Sequence, residues 1–363
     1  MSVERRLKRI HPYLPSFRVT GVRAAPGWRK GILAALLLLT GFLGAGCAGS
    51  AAGGAGAPPV LPRVSGLEKT TITAAISPVL DSAGFFVALR DGLFAQEGLT
   101  VNYTPAHGDT VISGAVQGKY DVIATNYVSY IQAQASHAAK LRLIAEASLL
   151  QPGGRVIMTM PGSRIKTLKE LAGHVLGVNA DANVGYLLAA SVLVENGIRT
   201  SAHGGGDAVG FPAFSMPFPD ASPALVSGKV AAAVLSEPFV SQAEEHYGAE
   251  TLADLDSGAT EQFPMEGYAT TASWAQANPQ TMKAFLLALE AGQRIADTDR
   301  SAVESAFVGL PRGAGHIDRT TAAVMALNVY PVGIDAVRIQ RVADVMRQFG
   351  FLKHRFDVRA LLG

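Results

Sequence analysis

The chain has 363 residues, carries 31 Lys and Arg against 29 Asp and Glu, and is 48% hydrophobic. This near-neutral balance, without a basic stripe, excludes a nucleic-acid partner, which calls for clustered cations interleaved with aromatics. Cys47 is the single cysteine, so no disulfide forms within the chain and stability has to come from an aliphatic core.

Arg5, Arg6, Lys8, Arg9, Arg18, Arg23, Arg29 and Lys30 precede an uncharged run, residues 31–46, that ends Leu-Gly-Ala-Gly before Cys47. A basic flank and an apolar core shorter than the roughly 20 residues that span a bilayer make residues 1–46 an export signal rather than a fold element. A lone cysteine after small residues resembles the lipobox of bacterial lipoproteins, with Gly44 in the usual apolar place and Leu43 one position further out. That resemblance implies lipidation of Cys47; a plain signal peptide or a signal anchor is the alternative. The basic stretch is long for such a signal, so a start near Val19 or Val22 stands beside a start at Met1. Residues 47–68, rich in Gly, Ala and Pro, read as a flexible tether.

Residues 71–76 read as a strand broken by 77–82. Asp81 or Ser82 offers an N-cap for a helix in which Phe85, Phe86, Leu89 and Leu93 recur at helical spacing before Gly98 closes it. A strand at 100–104, a loop at 105–109, a helix at 111–117, a strand at 121–125, a helix at 127–136 and a strand at 141–147 continue the alternation. After a break at 151–154, residues 155–160 form a strand leading through 161–163 into a short helix at 165–171. A strand at 174–178, a polar loop at 179–183 and an apolar helix at 185–196, closed by Gly197, follow. Residues 203–207 read as a flexible turn, since they neither follow a strand nor open a helix and no Lys-Ser/Thr comes after them.

A strand at 209–214 leads to residues 217–239, which repeat the grammar of 111–130: short helix, Gly-Lys stop, apolar strand, polar loop. Each apolar run suits a strand buried on both faces of a parallel sheet. A helix to about 246, a loop-rich stretch to 267, a return strand at 268–273 and a long amphipathic helix at 280–298, begun at Asn278-Pro279, complete the pattern with two or three more helices. Strand–helix alternation of this kind predicts an α/β fold of two doubly wound lobes with a ligand cleft between them. Lobe one would hold 69–161 and 268–363, with the C-terminal helices packed on it, and lobe two 162–267.

Four segments carry a family likeness: Gly-Phe-Phe-Val-Ala-Leu-Arg-Asp-Gly-Leu-Phe-Ala-Gln-Glu-Gly-Leu-Thr-Val at 84–101, residues 113–122, Ile-Lys-Thr-Leu-Lys-Glu-Leu-Ala-Gly-His-Val-Leu-Gly-Val at 165–178, and 217–239. With 274–285 they resemble, in order and spacing, type II periplasmic solute-binding proteins of ABC importers, in the nitrate, taurine, alkanesulfonate and thiamine-precursor group (SsuA/THI5-like). Glu170 stands where that group has Asp. Val230-Ala231-Ala232 departs from its Val-Asp-Ala, which Tyr120-Asp121 nearly keeps, so Asp121 reads as structural. The resemblance implies a monomeric receptor without cofactor or catalysis, anchored outside the cell membrane by its lipid, that hands a small solute to an ABC permease and its ATPase. A thiamine-pyrimidine synthase-like enzyme and a sensory lipoprotein of the same fold are the alternatives. The enzyme carries a cysteine-rich iron-binding segment, which one cysteine cannot supply.

Candidate ligand-binding residues come from the loops after the strands: Asp81, Ser82, Asp109, Thr110, Asn126 and Tyr127 in lobe one, and Asp181, Asn183, Met216, Ser236 and Glu237 in lobe two. Helix N-termini in these loops favour an anion. The loops nevertheless hold carboxylates and no Arg or Lys, which suits an amine or a heterocycle. Asp81 and Asp109 serve equally as helix caps, Glu237 as a hinge fixture beside Pro238, Asp181 as a solvated group and Tyr127 as core. His107, His137, His174 and His203 lack ligand spacing, so no metal site is expected.

Overall fold

The computed structural model describes residues 59–106, 110–180, 183–201, 206–211 and 217–362. In chain order the strands are β1 (Thr71–Ile76), β2 (Thr100–Pro105), β3 (Val122–Asn126), β4 (Leu141–Leu149), β5 (Arg155–Thr159), β6 (Leu176–Gly177), β7 (Arg199–Ser201), β8 (Ala208–Gly210), β9 (Ala232–Ser236), β10 (Glu250–Asp254) and β11 (Pro264–Thr271). One sheet runs β2-β1-β3-β11-β4 and a second β10-β5-β9-β6. The parallel pair β7–β8 is bridged to the second sheet through Val175 and Gly210.

The two echoes of the sequence occupy equivalent places. β3 lies between parallel β1 and antiparallel β11, and β9 lies between parallel β6 and antiparallel β5. All five residues of each are buried, which explains the unbroken apolar runs. Those runs predict parallel sheets; both sheets are mixed, because an antiparallel strand covered on both faces leaves the same pattern. Gly118 and Gly228 end the preceding helices at φ +75° and +70°, a left-handed conformation that side chains resist.

Strand pairing alters three boundaries. Residues 155–159, expected with the first lobe, pair with β9 and β10 in the second sheet, so the chain crosses between β4 and β5. It returns between β10 and β11; β10 lies in the stretch expected to be loop-rich, and β11 begins at Pro264 rather than Tyr268. Residues 61–68, expected in the tether, dock on the first lobe. Leu61, Val64 and Leu67 pack on its core, and Glu68 accepts bonds from the backbone N–H of Gln280 and Thr281 at 3.1 and 2.9 Å. Three apolar side chains sufficed where the Gly/Ala/Pro composition suggested none.

The helix Ala83–Arg90 crosses Pro279–Thr298 backbone to backbone. A Cβ on Gly292 would lie 2.3 Å from the carbonyl oxygen of Gly84, and one on Gly84 would strike the side chain of Gln293. Around this crossing Phe85, Phe86, Phe94, Tyr103, Phe285 and Phe307 form a chain of ring contacts, Phe94 stacking on Phe285 at 5.0 Å. Arg300–Val308 packs on the same first-lobe helix, and Ala336–Gln348 packs on Tyr127–Ala135. Arg319–Val324 touches Phe239–Tyr247 of the second lobe, where Thr321 donates to Glu245 at 2.6 Å.

Asp121 accepts bonds from Lys69 Nζ at 2.7 Å, from the Thr73 backbone N–H and hydroxyl at 2.8 Å, and from Trp274 Nε1 at 2.8 Å. It ties β1 and the segment before it to the helix Ala272–Ala277, which is a structural task. Among the described residues no helix is long and apolar enough to cross a membrane.

Candidate functional site

The crossings between sheets bring strand ends together. Glu266, at the start of β11, registers with Asn126 of β3 and with Ser148 of β4, forming one row along the edge of the first sheet. In the second sheet Arg155, the first residue of β5, registers with Ser236, the last of β9. The loop after β1 lays Asp81 between these two rows.

Asp81 is 1% exposed. It accepts hydrogen bonds from Ser148 Oγ at 2.7 Å and Asn328 Nδ2 at 3.0 Å, and Arg155 Nη2 faces its other oxygen at 3.4 Å. Its carboxylate is therefore turned away from the cap position considered for it: helix Ala83–Arg90 starts without a side-chain cap. Arg155 Nη2 also bonds Ser236 Oγ at 3.3 Å, which in turn donates to the Gly154 carbonyl. The guanidinium lies 5.6 Å from the centroid of the Phe218 ring. Groups from both lobes and from the C-terminal segment thus converge on the buried Asp81–Arg155 pair.

The cluster is incompletely satisfied. Arg155 is 1% exposed, yet its Nε and Nη1 have no partner among the described residues, and neither does Glu266 Oε2. Burial pushes the Glu266 carboxyl up to about 8, with the Asp81 charge adding to the rise and Arg155 opposing it. Burial and the Asp81 charge both favour the neutral carboxyl, which can donate a hydrogen bond. Two guanidinium nitrogens and a neutral carboxyl, as fixed donors without an acceptor among the described residues, are suited to an oxygen-bearing small group.

Glu237 borders the cluster. Its backbone carbonyl accepts from Leu80 N at 3.2 Å, a bond between the lobes. Its carboxylate accepts from Ser241 N at 3.1 Å, Ser241 Oγ at 2.8 Å and Ala326 N at 3.0 Å, which fixes the segment after the helix Arg319–Val324. Burial raises this group despite those bonds. Ser82 is fully enclosed beside Asp81.

The remaining candidates do other work. Asn126 caps Tyr127–Ala135 through Ser129 N at 3.0 Å, and Asn183 caps Val184–Glu195 through Tyr186 N at 3.2 Å. Tyr127 is fully buried, its ring so close to Gly267 that a Cβ there would lie 2.8 Å from it, so the ring belongs to the core. Thr110 opens the helix Thr110–Val116 at the surface. Cys47, Asp109, Asp181 and Met216 lie outside the described residues. A trio capable of holding a metal ion, Glu245, His246 and Asp318, is exposed; Glu245 is engaged by Thr321, and Asp318 caps Arg319–Val324.

Arg155, Ser148, Glu266 and Asn328 are not among the candidates from sequence, which come from loops after strands, whereas Arg155 and Glu266 lie near strand starts. A visible signal was the single charge opening the apolar run Val156-Ile157-Met158, since an arginine there must be buried and therefore paired.

Comparison with known families matches residues 80–299 to the family described as "NMT1/THI5 like". Comparison with curated proteins gave no match. Among solved structures, the chain is similar to the alkanesulfonate-binding protein SsuA from Xanthomonas axonopodis pv. citri bound to MOPS, with 16% identity over 82% of this chain and 99% of that one and a TM-score of 0.64. The periplasmic nitrate-binding protein NrtA from Synechocystis PCC 6803 is 14% identical over 82% of this chain and 86% of its own, with a TM-score of 0.67. A Candida albicans gene product described as having the generic periplasmic binding protein fold is 15% identical over 80% and 94%, with a TM-score of 0.63. These likenesses establish the periplasmic-binding-protein fold.

Proposed function

For this chain, which belongs to the NMT1/THI5-like family, we propose the role of an extracytoplasmic solute receptor of an ABC importer. It captures a small organic solute between its lobes and delivers it to a permease and its ATPase, held at the membrane by lipid on Cys47. The observation that carries the reading is the convergence on Arg155 of Asp81 from one lobe, itself held by Ser148, and of Ser236 from the other. A receptor of this kind needs polar groups on both sides of a cleft, so that ligand stabilises the closed arrangement.

The Arg155 N–H groups that have no partner among the described residues, with the neutral Glu266 carboxyl, favour an oxygen-rich group on the solute, a sulfonate, nitrate-like anion, carboxylate or pyrimidine carbonyl, over an amine. SsuA and NrtA, the alkanesulfonate and nitrate binders with this fold, agree with that chemistry. Titration calorimetry against short sulfonates, nitrate, carboxylates and pyrimidines tests it. The expected result is micromolar binding of one class, weakened at least tenfold by Ser236→Ala; silence across all four classes would remove the receptor reading. Metabolic labelling with palmitate, lost in Cys47→Ser, tests the anchor.

A further inference from the structure

A cavity of about 930 Å³ lies on the flank of lobe one, between the helices Thr110–Val116 and Tyr127–Ala135 and the C-terminal segment 351–356. Its size is that of a small-molecule site. Ile112, Val116, Ala133 and Phe351 supply apolar walls, and Val116 stands 52% exposed there. Phe351 is held by an edge contact with Tyr186 at 5.2 Å, which fixes the wall against lobe two. The cavity is thus distinct from the Asp81–Arg155 cluster, none of whose members lines it.

One feature points to a ligand. The mouth carries Lys353 and Arg355, with His137 and His354 beside them, and among the described residues neither Lys353 nor Arg355 is in an ion pair. The nearby Asp357 is bonded by Arg359 and also feels the Arg355 charge, which leaves the rim net cationic. An apolar interior under a cationic rim complements one kind of molecule.

We propose that this cavity binds a soluble amphipathic anion, an alkyl chain bearing a sulfonate or carboxylate, with the chain against Ile112 and Phe351 and the head group at Lys353 and Arg355. The site is independent of the cleft proposed for transport. Its occupant presses the 351–356 segment, lobe one and, through Phe351, lobe two together.

The test is calorimetry of the full chain with octanesulfonate as probe and 1-octanol as its neutral counterpart. Octanesulfonate should bind at one flank site, at least tenfold more tightly than octanol, and weaken as salt rises. The exposed double variant K353E/R355E and the cavity-filling Ser113→Trp should each weaken it at least tenfold with unchanged melting temperature, while Ser236→Ala leaves it intact. Equal binding of octanol overturns the proposal, as does indifference to both flank variants. Loss in Ser236→Ala alone would assign the probe to the cleft and also overturn it. Flotation with phosphatidylglycerol vesicles separates a membrane contact: wild type and K353E/R355E should behave alike, and a difference between them would refute a soluble occupant.

Discussion

Glu266→Gln isolates the carboxyl that burial raises most in the Asp81–Arg155 cluster. Burial beside Asp81 raises Glu266 from 4.5 to about 8, so between those values the folded protein holds a proton that the unfolded chain has lost. Folding stability is therefore greatest below about pH 4.5 with respect to this group and falls as pH rises through 8. The displacement corresponds to on the order of 5 kcal/mol, spread at up to roughly 1.4 kcal/mol per pH unit. Glutamine keeps the shape and the donor but cannot ionise. Urea unfolding of wild type and variant from pH 4 to 9 should give similar stabilities at pH 4 and a variant that is several kcal/mol the more stable at pH 9. Glu237, also raised by burial, contributes a slope of the same sign to both proteins and cancels in the difference. Parallel stability curves across the whole range would refute the assignment of a buried, uncompensated carboxyl to Glu266.

The remaining expectations concern packing and ion pairs. Arg155→Met should cost about 3–5 kcal/mol in urea unfolding, because it strands the Asp81 charge, and R155M combined with D81N should recover most of that. Gly292→Ala should destabilise the protein: the clash at 2.3 Å with the Gly84 carbonyl, about 1–3 kcal/mol, outweighs the ~1 kcal/mol gained in helix propensity, and calorimetric melting should shift down by a few degrees. Asp121 is held below its usual range by hydrogen bonds from Lys69 and Thr73 that outweigh its partial desolvation, so its contribution is present at neutral pH and is lost as pH falls below about 3.8. Asp121→Asn should lower stability at pH 7 and flatten the acid limb, followed by the fluorescence of Trp274, whose Nε1 donates to that carboxylate.

Most of the order of elements, though not β7 or β10, the two echoed helix–glycine–strand units and the family were legible in the sequence, because apolar periodicity, glycine stops and short motifs are local properties of the chain. Local patterns did not say which strands pair. The run 155–159 is a strand by composition, but its place in the second sheet depends on β9, far along the chain. The same limit applied to the site. Asp81 could be read as a cap from its neighbours; its ion pair with Arg155, 74 residues away, and its bond from Asn328, 247 residues away, exist only once both crossings between the sheets are made. Residue type determined that a buried arginine needs partners. Tertiary structure alone decided which partners it has, which of its N–H groups find none among the described residues, and in which direction burial moves the proton on Glu266.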